Sequence, residues 1–478
     1  MKDITPKIWD YFREICRIPR PSKKEEKICA YIKQFSETHQ LEYQQDEIGN
    51  LLVRKSATSG KEHLPAMILQ SHVDMVCEKN SDVVHNFDTD PIDCYEDGEW
   101  VKARGTTLGA DDGIGIAAML AILADKDIVH GTLEALFTVD EETGLTGAKA
   151  LKADFLTGKA LINLDSEDEG ELFIGCAGGI DTVATFEYEN KNIPGNTVAC
   201  RLSITGLTGG HSGDDINKRR GNAIKILNNT LLECSSIFGI SICRFEGGNL
   251  RNAIPREATA IVMVDKYACN DFKTHCINEM KIWKDAMKKT SPDFCFTIDD
   301  CDTPEYIIDI VSQSLLVNSI AMCPSGVIAM SESIPGLVST STNIASVKFT
   351  DDNKIVITTS QRSDCEQAKR TLNNSIRKIF ADLEALVETS NDYPGWTPNL
   401  HSPILETTKA AYSELFGKEP VVRAIHAGLE CGLFLEKYPD LDMISFGPTI
   451  KNVHSPNEQL HIPSVKRFAD LLLRVLAQ

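Results

Sequence analysis

The stretch MILQSHVDM, residues 67–75, decides the fold class. Met67–Gln70 reads as a continuous buried strand that runs straight into a polar end, Ser71, His72, Val73 and Asp74. A strand without polar alternation is covered on both faces, as in a parallel sheet flanked by helices. The pattern recurs: Leu133–Val139 ends in Asp140, Glu141 and Glu142, and Ala160–Leu164 ends in Asp165, Ser166 and Glu167. Between these strands, the Gly/Asp-rich turn Thr106–Gly115 opens an apolar helix ending near Ala124. Upstream, Trp9–Cys16 has helical spacing, and Ser22-x-x-Glu25 predicts a capping box for the helix carrying Ile28, Cys29 and Ile32. Buried strands alternating with helices predict an α/β sheet. In open sheets of this kind, functional groups gather at the carboxyl ends of the strands.

From about Glu187 the texture changes. Strands near Val198–Ile204, Ile240–Phe245, Ala258–Val264, Ala345–Phe349 and Lys354–Thr359 alternate with helices near Gly221–Cys234, Asp271–Lys288 and Cys365–Leu386. This predicts antiparallel sheets with helices on one face, a second architecture. The tail from Tyr393 adds a helix (Ile404–Phe416), a strand (Asp442–Phe446) and a final helix (Val465–Leu476).

The 478 residues carry 49 Lys and Arg against 69 Asp and Glu, a formal charge of −20. A field of that sign argues against nucleic-acid or anionic-membrane partners. The N-terminus MKDITPKIWDYFREICRI has no secretory apolar core, and the longest apolar run, Ile114–Ala124, is too short for a bilayer. Fifteen scattered cysteines without a C-x-x-C pair read as reduced, mostly buried thiols. Together these predict a cytoplasmic location.

The strand ends carry the chemistry. His72 and Asp74 share a face, so Asp74 can accept the second N–H of a metal-bound His72. In Gly109-Ala110-Asp111-Asp112-Gly113, either acid can cap the helix or point into the cavity at the sheet end. Adjacent Glu141 and Glu142 diverge in direction, so one can bind metal while the other acts as general base. Asp165 ends a further buried strand, and the tail loop Gly447–Pro456 offers a second imidazole, His454. Two histidines with three or more carboxylates suit Zn²⁺, Mn²⁺ or Co²⁺, and two ions about 3.5–4 Å apart need a bridging carboxylate.

The ordered set SHVDM (71–75), GTTLGADDGIG (105–115), DEETG (140–144), NLDSEDEGE (163–171), GGHSG (209–213), RNAIPRE (251–257), HAGLECGLF (426–434) and GPTI…HSP (447–456) resembles the aminoacyl-histidine dipeptidases, also called peptidase D or Xaa-His dipeptidases. These are relatives of carnosinase and the aminoacylase-like co-catalytic zinc peptidases. The resemblance runs essentially end to end. It implies an α/β zinc-peptidase-like catalytic domain in two pieces, 1–185 and 391–478, with an inserted α+β lid or dimerisation domain at 186–390. It implies two Zn²⁺ per chain, with Mn²⁺ or Co²⁺ as substitutes. His72 and Asp165 correspond to the private ligands of one ion, Glu142 and His454 to those of the other, and Asp111 to the bridge. Asp74 corresponds to the partner of His72, and Glu141 to the base. His211 corresponds to a lid histidine that stabilises the oxyanion, in some relatives across a dimer interface. Asn252 corresponds to a lid asparagine near the substrate, Arg362 to the anchor of the substrate's C-terminal carboxylate, and Glu430 to a neighbour of the substrate amine. Asp112 departs from the Asn that often follows the bridging Asp in the family; it either alters metal preference or caps the helix.

The expected function is therefore a cytosolic dinuclear zinc dipeptidase acting on dipeptides with a free N-terminus, Xaa-His among them. Its expected partners are a small peptide and, as one assembly, a second copy of the chain, with neither nucleic acid nor membrane. An N-acyl amino acid hydrolase or a tripeptidase could use the same metal core. A metal-dependent binding protein that has lost catalysis is the alternative of another class.

Overall fold

A computed structural model describes residues 2–478. The chain divides into two compact units. The outer unit comprises the chain up to Cys176 together with Trp396–Ala424 and Leu429–Gln478, and the inner unit comprises Ala177–Gly395 with Ile425–Gly428. The inner unit begins before residue 186 because the strand Gly178–Glu187 is antiparallel to both Lys354–Ser363 and Leu386–Tyr393.

The outer unit is built on an eight-stranded sheet in the order Glu42–Gln45, Leu51–Lys55, Leu133–Thr138, Met67–His72, Ala160–Asn163, Asp442–Ser445, Glu171–Cys176, Val421–Ile425. Met67–His72 is parallel to Leu133–Thr138 and to Ala160–Asn163, which is in turn parallel to Asp442–Ser445. These four strands are almost wholly buried, as the missing polar alternation predicts. The helix Ala110–Ala124 is buried at every residue except Asp111 and Ala124. Its core continues into the helices Thr5–Ile15, Glu26–Thr38, Pro403–Phe416 and Ile462–Leu476.

The predicted capping box does not form. The helix starts at Glu26, and the Ser22 hydroxyl instead donates to Asp74 Oδ2 at 2.7 Å. Glu25 accepts from the N–H groups of Lys23 and Asp140. Partners distant in sequence outcompete the local cap because they are themselves buried donors and acceptors that need satisfying.

A small four-stranded sheet joins the hairpin Ile450–Lys451 and Gln459–His461 to Trp100–Ala103 and Cys94–Asp97. The inner unit holds a nine-stranded antiparallel sheet whose inward side chains pack with the helices Ala223–Phe238, Cys269–Met287, Ile310–Met322 and Glu366–Asp382 in one core. Among the described residues no disulfide forms, and no helix is long and apolar enough to cross a membrane.

Candidate active site and metal centre

Four parallel strands end side by side, and each leads to a donor at the same place. His72 closes its strand, Glu141 and Glu142 follow Leu133–Thr138, Asp165 follows Ala160–Asn163, and the chain after Asp442–Ser445 reaches His454 in the loop of the 450–461 hairpin. His72 Nε2 lies 3.0 Å from Asp111 Oδ1 and 3.4 Å from Asp165 Oδ1. His454 Nε2 lies 3.1 Å from Asp111 Oδ2 and 3.1 Å from Glu142 Oε2. Asp111 thus turns one oxygen to each imidazole.

The donor atoms of His72, Asp111 and Asp165 all lie within 4.8 Å of one another, and so do those of Asp111, Glu142 and His454. Tetrahedral ligands held about 2.0–2.1 Å from an ion stand about 3.3 Å apart. Both triads therefore have the size of a coordination sphere, with Asp111 common to the two. Glu142 Oε1 is buried and has no hydrogen-bond partner among the described residues, a lone pair that a cation would satisfy.

The electrostatics point the same way. Burial, reinforced by Glu142, Glu430 and Asp111, raises the Glu141 carboxyl well above its usual range despite the nearby His72. Burial, with Asp111 and Asp112, does the same to Asp165. For His72, burial opposes the charged ring, but Asp165, Asp111 and Asp74 outweigh it and raise the imidazolium well above its ordinary value. For His454 burial is likewise outweighed, by Asp111 and Glu142, which carry the ring to about 11. A site in which acids outnumber imidazoles calls for added positive charge, and divalent cations fit its donor set.

Asp74 does more than the sequence suggests. Its Oδ1 lies 3.4 Å from His72 Nδ1, and its two oxygens accept the N–H groups of Glu141 and Glu142 at 3.0 and 3.1 Å. One fully buried carboxylate thus orients the imidazole and the double-glutamate turn together. Asp140, at φ 51°, accepts from the Thr143 and Thr146 hydroxyls and locks the same turn from the other side. The Asp74→Ala variant is expected to lower metal affinity roughly 10–100-fold, read by competition with a chromogenic chelator. Unchanged affinity would show that Asp74 orients no ligand.

Asp111 and Asp112 divide the two tasks left open by the sequence. Both have non-helical backbone angles at the start of their helix, and the peptide between them is cis. Asp112, 1% exposed, accepts the Gly115 N–H at 3.1 Å and so caps the helix, while Asp111 faces the imidazoles.

Glu430, expected at the substrate amine, has no exposed surface. Its Oε2 accepts from Gln70 Nε2 at 2.6 Å and Thr138 Oγ1 at 2.7 Å. Gln70 in turn accepts from Asn163, Asn163 accepts from Ser445, and Ser445 bonds Ser166. This buried polar chain ties together the four strands that present the donors. Gln70, Thr138, Asn163 and Ser445 stand in or at the end of largely apolar strands, so only the odd polar residue at a buried strand position, such as Gln70, signals the chain in the sequence.

The remaining predicted residues belong to the inner unit. His211 accepts on Nδ1 from the N–H groups of Gly213 and Asp214, which leaves Nε2 as the protonated nitrogen of the neutral ring. The backbone of Asn252 bonds Ser212, its carbonyl accepting the Ser212 N–H at 2.7 Å. Arg362 lies within the strand Lys354–Ser363, not beyond it, because pairing with Gly178–Glu187 and Val338–Phe349 prolongs that strand. Its Nη1 donates to Tyr393 Oη at 2.9 Å, and its buried Nε has no partner among the described residues. His426 bonds Ser341 and is pushed down to about 3 by burial and then by the charges of Arg362 and His211.

Parallel strands whose carboxyl ends gather two histidines and a set of acids, with a second antiparallel unit inserted in the chain, define a two-unit α/β architecture with a candidate metal centre. The chain belongs to peptidase family M20/M25/M40, whose model matches residues 68–478. It is 41% identical over 471 residues to the cytosol non-specific dipeptidase of Escherichia coli K12, covering 98% of this chain and 97% of the relative. The crystal structure of aminoacylhistidine dipeptidase from Vibrio alginolyticus superposes with a TM-score of 0.89 at 40% identity, covering 98% of this chain and 96% of that one. Human carnosine dipeptidase 1 shares the fold, with a TM-score of 0.53 at 11% identity over 99% of this chain and 96% of its own.

Proposed function

We propose that this chain is a dinuclear zinc dipeptidase that cleaves dipeptides with a free N-terminus, Xaa-His among them, in the cytoplasm. The observation that carries this reading is Asp111, whose two oxygens face two separate imidazole–carboxylate triads. Family membership and the two dipeptidases at about 40% identity support the substrate class.

In this reading His72 and Asp165 hold one ion, Glu142 and His454 the other, and Asp111 both. When bound, such ions polarise the scissile carbonyl and acidify water. Glu141 takes the proton of the attacking water and passes it to the leaving amine. Its carboxyl is raised by burial and neighbouring acids, and added positive charge would restore its basic form. Asp74 keeps His72 and the 141–142 turn aligned throughout. Within the inner unit, His211 offers a protonated Nε2 suited to an oxyanion, Asn252 a polar side chain suited to a substrate, and Arg362 a guanidinium fork suited to a terminal carboxylate. Glu430 aligns the strands beneath.

Purified protein is expected to hold about two transition-metal ions per chain, to lose dipeptidase activity in chelator, and to regain it with Zn²⁺, Mn²⁺ or Co²⁺. Full activity in a verified metal-free preparation would sink the reading. A panel of free, N-acylated and three-residue peptides separates it from N-acyl hydrolase and tripeptidase activity. Absence of turnover on every member would leave a binding protein.

A further inference from the structure

Two buried charges outside both triads close on the turn that presents Asp111. Glu458, 2% exposed, accepts on Oε2 the N–H groups of Leu108 and Gly109 at 2.7 and 2.9 Å. On Oε1 it accepts those of Ala110 and Asp111 at 2.7 and 3.4 Å. Arg20, also 2% exposed, donates to the Gly109 carbonyl, and its Nη1 donates to the carbonyls of Val73 and Asp74 at 3.1 and 2.5 Å. Gly109 has φ 69°, and a Cβ there would stand 2.7 Å from Arg20 Nη2, so the close clasp requires glycine.

The topology explains how residue 458 reaches residue 108. Gln459–His461 pairs with Trp100–Ala103, Leu460 opposite Val101, which lays the chain just before residue 459 against the segment leading into the turn. The same hairpin loop carries His454, whose Nε2 faces Asp111 Oδ2. One loop therefore grips the turn at its backbone and meets its side chain.

We infer that Glu458 is a positioning residue: its carboxylate gathers four backbone N–H groups of the 108–111 turn and thereby fixes Asp111 with one oxygen toward each imidazole. Charge-assisted bonds from several amides to one buried carboxylate are stronger and more directional than neutral ones. A misplaced Asp111 loosens both triads at once, whereas loss of Glu142 or Asp165 disturbs one. This inference rests on the proposed reading of Asp111 as the shared ligand.

The test is a Zn²⁺ titration of the full chain against a chromogenic chelator, for wild type, Glu458→Gln, Glu458→Asp and Glu142→Gln. An amide at 458 turns an NH₂ toward backbone donors, leaving buried N–H groups unpaired. Glu458→Gln is expected to weaken both binding steps roughly 10–100-fold, as loss of a ligand-orienting group does. Glu458→Asp, which keeps the charge but shortens the reach, should fall between it and wild type, and Glu142→Gln should weaken one step far more than the other. Circular dichroism verifies folding, and if Glu458→Gln does not fold, Glu458→Asp is held to the same criterion. Two unchanged steps in the folded variant, or weakening of only one, would overturn the inference. A wild type that fails to bind two ions would instead overturn the proposed metal centre.

Discussion

Glu141→Gln is expected to keep both metal ions and lose on the order of 10²–10⁴ in kcat, the usual worth of a general base. The substitution preserves shape and removes the proton acceptor. Glu141 forms a donor group with His72 and Glu142 but lies outside the two triads that share Asp111, and its backbone N–H, which bonds Asp74, is unaffected by the change. The turn should therefore stay in place. Its neighbour behaves differently: Glu142→Gln removes an oxygen 3.1 Å from His454 and should weaken one ion selectively. Metal analysis and steady-state kinetics on the two variants decide the assignment. If Glu141→Gln loses metal while Glu142→Gln keeps both ions but not turnover, the roles of the two glutamates are exchanged.

Asp111→Asn should cost more in metal affinity than any other single change. Each oxygen of Asp111 faces a different imidazole, and an amide keeps one acceptor while turning a donor at the other. Both ions should bind more weakly, by more than the roughly 10–100-fold expected for losing a group that only orients a ligand. Activity should disappear at metal concentrations that saturate the wild type. Asp165→Asn provides the contrast, since its carboxylate belongs to the triad with His72 and not to that with His454. Stepwise metal titration with circular dichroism as a folding control separates the cases. One tight site surviving in Asp111→Asn would exclude a shared ligand.

Much of the outer unit was legible because buried parallel strands carry an unmistakable pattern. Met67–His72 is apolar up to Gln70, and Leu133–Thr138, apart from Glu134, which is paired with Arg54, is apolar up to Thr138; His72 and the Asp140–Glu142 run then appear abruptly. A charged residue at such a position is costly unless it has a partner, which is why strand ends mark the site. The inner unit was less legible at its margins. The expected boundary at 185/186 cuts the strand Gly178–Glu187, because its residues alone do not disclose that they pair with Lys354–Ser363 far along the chain. Pairing with distant strands likewise extends the strand expected at Lys354–Thr359 to Ser363, so that it includes Arg362.

Local rules failed where a distant group made a better bond. Ser22 and Glu25 fit a capping box, yet Ser22 serves Asp74 and Glu25 serves the N–H of Asp140. Glu458 lies four residues after His454 and looks in sequence like any surface acid, but the small sheet carries it inward to the 108–111 turn. The α/β class, the strand ends that carry chemistry and the residue types of the candidate site can be read along the chain, because burial and periodicity are written there. Packing between segments settles which carboxylate is common to both imidazoles, that Asp112 caps while Asp111 faces His72 and His454, and which buried charges hold that turn. Apart from the local Asp112 cap, those outcomes depend on hydrogen bonds between separate segments, from 39 residues apart for His72 and Asp111 to 348 for Glu458 and Ala110, formed because no buried donor or acceptor can be left unpaired without cost.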